Sequence, residues 1–595
     1  MPETIYQYFV QSVIKYPKRT ALMYNKQGKY QKITYRKLNE FVNALAFNLQ
    51  ELEVRKGDTI GIYSYTRPEW VIADLAILKL GAIVVPIYHV LSPFYVKYII
   101  NDAKIKILFV ENSSLFDNVN SIRKNTPSIE RIILFDNTGI TTIKDYLSFE
   151  DMIKFNGDSQ EENVSPDDVA TIVYTSGTTA EPKGVVLSHH NIISNAVSAI
   201  KLFNINCKDV IMSYLPLSHM FERTAGYYVM IFAGATIGYA QNFTTIVQDI
   251  AKIKPTVLIA LPRVLEKAYQ TVTEKVNASS AFTKGLVYSA IKNLNIYTNR
   301  KYRKLSIPLS LKIKRFIFDK LVARKFRKIA GGRLRLLVSG GAPLDRTIAK
   351  IYHIVGFNIC EGYGLTETSP VVSACLPNDN RLGTVGKVFP DVQVKIGLND
   401  EILVKGPNVM LGYHNKPEET AKAIDKDGWL HTGDQGKFDE YGNLIITGRI
   451  KELIVTSYGK KIPPIPIEEK LCKSKYIEQA VLFGDKRNFI IALIVPSQEE
   501  VEDYAKSNSI VYQKYPELLR RNEIKSLFRW EIDIACKDFA PYEKIKAFAL
   551  IPENFTIENG LLTPTLKLRR NKIFEKYHNT IEEIYKRASK EKSCN

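Results

Sequence analysis

Between Thr171 and His189 the chain reads TIVYTSGTTAEPKGVVLSH. An apolar run, Thr171 to Tyr174, breaks into small hydroxyl residues and glycine, passes Pro182, Lys183 and Gly184, and turns apolar again. Hydroxyls, backbone amides and one lysine on a tight loop are groups that hold phosphate, since successive amides can form an anion-binding concavity without a helix. The common nucleotide loop, G-x-x-x-x-G-K-[ST], is a poor match. Its lysine is followed by a hydroxyl that holds magnesium at a helix start. Here Pro182 stands at the second glycine and Gly184 at the hydroxyl, and Val185 to Leu187 reads as a strand. A P-loop NTPase is not expected. On this stretch alone a polar surface turn stays open, because Gly, Pro, Ser and Thr are ordinary turn residues.

The elements that must position this loop alternate in type. Short apolar runs and helical periods follow one another as GDTIGIYSY, EWVIADLAILKLG, AIVVPIYH, IKILFVEN and IERIILFD. That pattern predicts an α/β fold, with parallel sheet and crossover helices. At 595 residues the chain is too long for one core. Near the C-terminus AVLFGD and FIIALIVPS read as a hairpin, then come a helix, the strand IKAFALIP and a charged helix after Leu568. We expect a large domain over residues 1–448 and a small α+β domain over 449–595, joined near Gly448 and Arg449.

Composition excludes several classes. Hydrophobic residues at 45% and charged residues at 24% fit a globular enzyme. The opening Met1-Pro2-Glu3-Thr4 lacks a basic and apolar secretory leader. Six cysteines (207, 360, 375, 472, 536, 594) form no CxxC pair, which argues for a reducing compartment and against disulfides or zinc. The eight histidines form no H-x-x-x-H pair. The uncharged stretch between Arg223 and Asp249 is punctuated by Gly226, Gly234 and Gly238, and its apolar part is shorter than the roughly 20 residues a span needs. A buried helix followed by a buried strand is expected there.

Six further segments recur in a fixed order: LPLSHMFER (Leu215 to Arg223), VSGGAPL (Val338 to Leu344), EGYGLTET (Glu361 to Thr368), DGWLHTGD (Asp427 to Asp434), GRIKELI (Gly448 to Ile454) and LTPTLKLRR (Leu562 to Arg570). With the opening loop, they resemble the adenylate-forming superfamily of acyl-CoA synthetases, peptide-synthetase adenylation domains and luciferases. The resemblance covers nearly the whole chain. LPLSHMFER and the long insert before VSGGAPL are similar to long-chain acyl-CoA synthetases in particular. The resemblance implies a large multi-subdomain N-terminal adenylate-forming domain and a small mobile C-terminal one. It also implies a two-step reaction: a fatty acid and ATP-Mg²⁺ give acyl-AMP and pyrophosphate, then the coenzyme A thiol attacks and releases AMP.

That chemistry asks for these residue types. Carboxylate and ATP are both anionic, so their repulsion must be offset by cations and oriented donors. By resemblance, Ser176, Gly177, Thr178, Thr179 and Lys183 hold the β- and γ-phosphates. The family loop carries glycine where Ala180 stands, and alanine restricts a position that glycine leaves open to φ > 0. Gly341, Ala342 and Pro343 would line the adenine pocket, with Glu361, Gly362, Tyr363, Gly364 and Thr366 around it and Tyr363 stacking on the base. Glu367, helped by Thr175, would bind Mg²⁺, which takes few protein carboxylates. Asp434 would accept hydrogen bonds from both ribose hydroxyls, and Arg449 would add a nucleotide contact. His219 would sit beside the acyl carboxylate, or act only as a structural hydrogen-bond partner. Glu222 and Arg223 either serve the site or pair structurally. Lys567 would bind the attacking carboxylate and the α-phosphate as the catalytic lysine. Lys451 matches the family hinge, where rotation withdraws Lys567 and admits coenzyme A, a motion of the kind that commonly limits turnover.

The formal charge is +20, and residues 284–335 hold sixteen Lys and Arg against one acid, Asp319. Within this insert Leu309, Ile313, Ile317 and Leu321 recur at helical spacing among Lys312, Lys314, Arg315, Lys320 and Arg324. Such a helix is either a membrane-surface element or a packed helix with a solvated basic face. No nucleic-acid motif accompanies it. A cytoplasmic location, peripheral on an anionic membrane surface, is expected. Three other readings remain: an acyl-AMP ligase serving a carrier protein, a synthetase for an aromatic or shorter acid, and a catalytically silent lipid-binding or scaffold protein on membranes.

Overall fold

The computed structural model describes residues 2–138, 146–154, 162–175, 181–242, 245–302, 305–450, 453–458, 460–537, 539–563 and 568–593. The chain forms two compact units. The first comprises residues 1–396, 402–432 and 437–445. The second comprises 446–595 together with the short segments 397–401 and 433–436.

Two large sheets organise the first unit. The eight-stranded sheet runs, edge to edge, Gly412–Tyr413, Lys183–Ser188, Val169–Thr175, Ile83–Ile87, Thr59–Tyr63, Ile107–Val110, Arg131–Leu134 and Tyr146–Ser148. Thr59–Tyr63 pairs in parallel with Ile83–Ile87 and Ile107–Val110, as the alternating sequence predicts. The helix Pro68–Lys79 starts with proline at its first turn and is buried along its whole length, including Trp70. That burial explains why apolar residues are spread around the helix and not confined to one face. The nine-stranded sheet carries Val210–Ser213, Val257–Ala260, Leu336–Ser339 and Ile359–Gly364 as parallel neighbours near its middle.

The uncharged stretch folds as expected. Glu222–Tyr228 and Val229–Phe232 form a buried helix, its first part π-helical, and Thr236–Tyr239 is a fully buried strand. Among the described residues no helix is long and apolar enough to cross a membrane. The basic insert is helical over Ala281–Tyr302, Leu309–Phe318, Asp319–Ala323 and Arg324–Ile329.

In the second unit Ile477–Phe483 and Ile491–Pro496 form the expected hairpin, and Ala547–Leu550 joins it in parallel. Three helices, Gln498–Ser507, Tyr515–Leu518 and Asn522–Ala535, stand between hairpin and third strand where the sequence suggests one. The charged C-terminal helix starts at Arg570 and, after a break, continues as His578–Ser593.

Candidate active site

The opening motif is a β-hairpin. Val169–Thr175 pairs antiparallel with Lys183–Ser188, Thr175 facing Lys183 at its mouth. A second strand, not a helix, follows the lysine, which separates this loop from the P-loop class. Gly184 has no room for a side chain, since a Cβ would lie 2.8 Å from Ile172 and 3.1 Å from the Tyr174 ring. Ser176, Gly177, Thr178, Thr179 and Ala180 lie outside the described residues, as do Lys451 and Lys567.

Lys183 is the best-defined member of the hairpin. Its ammonium pairs with the Glu419 carboxylate and sits 4.9 Å from the centre of the Tyr413 ring. The Tyr413 hydroxyl donates to Glu367 Oε1 at 3.0 Å. Lys183, Tyr413 and Glu367 therefore form one cluster, with the Thr175 strand end beside it. Hydrogen bonds from Lys183 and then Lys422 hold the Glu419 carboxyl down at about 2. Burial and then the charge of Glu367 push the Tyr413 hydroxyl well above its ordinary value, so it stays protonated as a donor. Tyr413 reaches the hairpin because Gly412–Tyr413 is an edge strand paired with Val185 and Val186.

Glu367 is held through its backbone. It lies in a 3₁₀ turn, Thr366–Thr368, and its carbonyl accepts from the Met410 amide at 2.9 Å. The buried Thr368 hydroxyl donates to the Pro370 carbonyl at 2.7 Å, and Asn408 donates to the Thr368 carbonyl at 3.0 Å. A single carboxylate, with the Thr175 hydroxyl on the strand paired to Lys183, is a donor set that fits magnesium, which keeps waters and substrate phosphates as most of its ligands. Among the described residues no group of three or more His, Cys, Asp or Glu could hold a metal ion.

The proposed adenine-side residues come together at the ends of two parallel strands. Leu336–Ser339 and Ile359–Gly364 pair with Ser339 opposite Glu361. Gly341, Ala342 and Pro343 follow the first strand and are exposed, with Gly341 at φ +83°, where a side chain is strained. Gly362, Tyr363 and Gly364 end the second strand, and Tyr363 is half-buried. Gly364 is obligatory, because a Cβ would lie 1.7 Å from the Pro370 carbonyl oxygen. Burial lifts the Glu361 carboxyl to about 7, against amides of Leu344 and Gly383 that favour its ionised form.

His219 begins the helix of LPLSHMFER and is exposed. Its Nδ1 accepts from the Phe221 amide at 3.3 Å, which fixes the ring and leaves Nε2 as its N–H position when neutral. A structural hydrogen bond and a site-facing imidazole are thus compatible. Glu222 and Arg223 do not pair with each other. Arg223 is fully buried and pairs with Asp74, and it donates to the Thr171 hydroxyl at 2.8 Å. Asp74 also accepts from the hydroxyls of Tyr227 at 3.0 Å and Tyr228 at 2.9 Å. Glu222 accepts instead from the Ser213 hydroxyl at 2.6 Å, and burial pushes its carboxyl up to about 8. Adjacent residues on a helix point apart, so the pairing partner had to come from another element.

In the second unit Asp434 is buried and its Oδ1 accepts from Arg449 Nε at 2.6 Å. The Gly433 amide donates to Glu401 Oε1 at 2.9 Å, which fixes the turn ahead of the aspartate. On either side of residues 564–567 the chain is anchored. Leu562 bridges Leu568, the Arg569 amide donates to the Leu561 carbonyl at 2.8 Å, and Arg570 grips Glu468 with both terminal nitrogens at 2.6 and 3.0 Å.

Sequence reasoning missed Tyr413, Glu419 and Asp74. The signal for Asp74 was present: an acid in the middle of the apolar helix PEWVIADLAILK, beyond its first turn, requires a buried partner. Tyr413 and Glu419 carried none, because they depend on an edge strand far along the chain.

Comparison with known proteins gives the family and the fold. The AMP-binding enzyme family matches residues 9–414, and the AMP-binding enzyme C-terminal domain matches residues 451–589. The chain is 33% identical over 574 residues to the long-chain-fatty-acid–CoA ligase FadD15 of Mycobacterium tuberculosis, covering 94% of this chain and 93% of that one. It is 32% identical to the peroxisomal long chain acyl-CoA synthetase 7 of Arabidopsis thaliana, over 94% of this chain and 82% of that one. It is 30% identical to the human long-chain-fatty-acid–CoA ligase 1, over 93% and 82%. Among solved structures, the adenylation domain of a carboxylate reductase from Mycobacterium chelonae superposes with a TM-score of 0.78 at 22% identity, over 98% of this chain and 91% of that one. An anthranilate CoA ligase in complex with anthranoyl-AMP gives 0.72 at 20%, over 97% and 98%.

Proposed function

Because this chain belongs to the AMP-binding enzyme family, we propose that it is a long-chain fatty acid–CoA ligase (AMP-forming). The fatty acid carboxylate attacks the α-phosphorus of ATP, the bond to the bridging oxygen breaks, and pyrophosphate leaves with its electron pair. The coenzyme A sulfur then attacks the acyl carbon, AMP departs, and the thiol proton is released. Similarity to long-chain ligases along nearly the whole chain supports the acyl and thiol substrates. The observation that carries the phosphoryl chemistry is the cluster of Lys183, Tyr413 and Glu367 at the hairpin mouth.

Each residue has a task in this reading. Lys183 neutralises the outer phosphates, exchanging its Glu419 partner for ATP oxygens. Thr175 and Glu367 would hold Mg²⁺, which would offset the negative charge of the phosphates. Tyr413 orients the Glu367 carboxylate. Tyr363 stacks on adenine, Asp434 and Arg449 hold the ribose, and Lys567 spans carboxylate and α-phosphate. The nucleophile of the second step is the coenzyme A thiol. Burial pushes the Cys360 thiol up to about 12 and raises Cys375 as well, so neither forms thiolate at neutral pH.

The test is fatty-acid-dependent exchange of pyrophosphate into ATP, run across chain lengths with and without coenzyme A. Exchange without coenzyme A and thioester only with it are expected for long chains. Exchange with no thioester under any condition would point to a carrier-protein ligase, and no exchange to a silent protein.

A further inference from the structure

The basic insert of the first unit presents its apolar residues outward, and we infer that this face docks on an anionic lipid bilayer. Along Leu309–Phe318 and the turn after it, Leu309, Ile313, Phe316 and Ile317 stand one helical face apart from Leu311 and Val322. Leu311 and Val322 are buried against the protein, whereas Leu309 is 72% and Phe316 70% exposed. The helix is therefore packed by one face and still shows a second apolar face to solvent. Exposed apolar residues collected in this way mark an interaction site.

Charge decides what covers it. Lys312 and Lys314 flank the outward row on either side, and Lys320, Arg324, Lys325 and Lys328 continue beyond it, all exposed. The one acid of the insert, Asp319, is already taken by both terminal nitrogens of Arg327 at 2.8 Å. Arg315 stacks on Tyr297 at 4.1 Å and ties the helix to its neighbour Ala281–Tyr302. An apolar stripe between lysines is the arrangement of a helix lying in a headgroup layer, with the stripe among acyl chains and the ammonium groups at lipid phosphates. A nucleic acid would meet the charge and leave the stripe in water.

Sedimentation with vesicles tests this without reference to activity. The full chain should pellet with vesicles containing phosphatidylglycerol at low salt and not with pure phosphatidylcholine. Each lysine near an anionic surface contributes about fivefold to partitioning, so K312Q/K314Q/K320Q should lower it about 100-fold. Raising salt to about 1 M, where screening acts within about 3 Å, should lower binding of the unaltered chain likewise. I313S/F316S/I317S keeps every charge and should still lower partitioning by about tenfold or more. Both variants change exposed positions, and unchanged thermal melting confirms that they fold. Undiminished binding by the serine variant would reduce the contact to charge alone and overturn the proposal. So would equal binding to both lipids, or a lipid-free dimer that the serine variant dissolves in sedimentation velocity, which would assign the face to a second copy.

Discussion

Replacing Glu222 with glutamine removes a carboxyl that the fold keeps protonated. Glu222 is 1% exposed, its carboxyl accepts from the Ser213 hydroxyl, and Gly226 beside it has no room for a Cβ. Burial moves its carboxyl from 4.5 to about 8. In the unfolded chain the group ionises near 4.5, so the unfolded state binds fewer protons than the folded one between those values. Stability is then fully present below about pH 4.5 and falls as pH rises toward 8. At about 1.4 kcal/mol per pH unit, the loss reaches about 3 kcal/mol at pH 7 and levels off at about 4 near pH 8, where the folded group itself ionises. Buried histidines tilt the other way: His89, His189 and His353 are held down at about 4 by burial, and their contribution grows as pH rises to about 6.5. The difference between Glu222→Gln and the unaltered chain cancels that background. Urea midpoints measured from pH 5 to 8 should show the glutamine chain gaining steadily, and ahead by about 2–3 kcal/mol at pH 7. A difference that stays flat with pH would refute the buried neutral acid, and one that grows toward acid would mean that Glu222 is ionised in the folded state.

Three other outcomes are expected. Lys567→Ala should abolish pyrophosphate exchange and spare thioester formation from supplied acyl-AMP; loss of both half-reactions would assign the lysine a structural role. Asp74→Ala leaves Arg223 buried without its counter-ion and should cost about 3–5 kcal/mol in urea unfolding, and a loss under about 1 would show that Tyr227 and Tyr228 suffice. Glu419→Gln removes the carboxylate that competes with phosphate for Lys183, so the KM for ATP in the exchange assay should fall with kcat unchanged. A higher KM would mean that Glu419 positions the lysine.

The parallel strands from Thr59 to Leu134 were legible because burial on both faces writes itself as continuous Val, Ile and Leu. The hairpin at Lys183 was legible too, since Gly184 and the apolar run after it excluded a helix. Legibility failed where a contact joins distant segments. Tyr413 meets Glu367 through an edge strand of two residues, too short to leave a pattern. Glu222 and Arg223 are neighbours in sequence, and adjacency suggested a pair that helix geometry forbids. The segments 397–401 and 433–436 belong to the second unit although the surrounding chain belongs to the first, and nothing local records it. The insert's charge was plain, whereas the direction its apolar residues face depended on Leu311 and Val322 being the ones that pack.

The anchored flanks around Lys567 have an entropic consequence. The bridge between Leu562 and Leu568 leaves five residues between fixed points. Held only by the strand ending at Leu550 and the helix starting at Arg570, the tether would have been nineteen residues long. Loop-closure entropy grows as 1.5 RT ln n, so closing the shorter loop costs about 1 kcal/mol less than closing the longer one. With Arg570 clamped on Glu468, that gain belongs to the second unit before any substrate arrives.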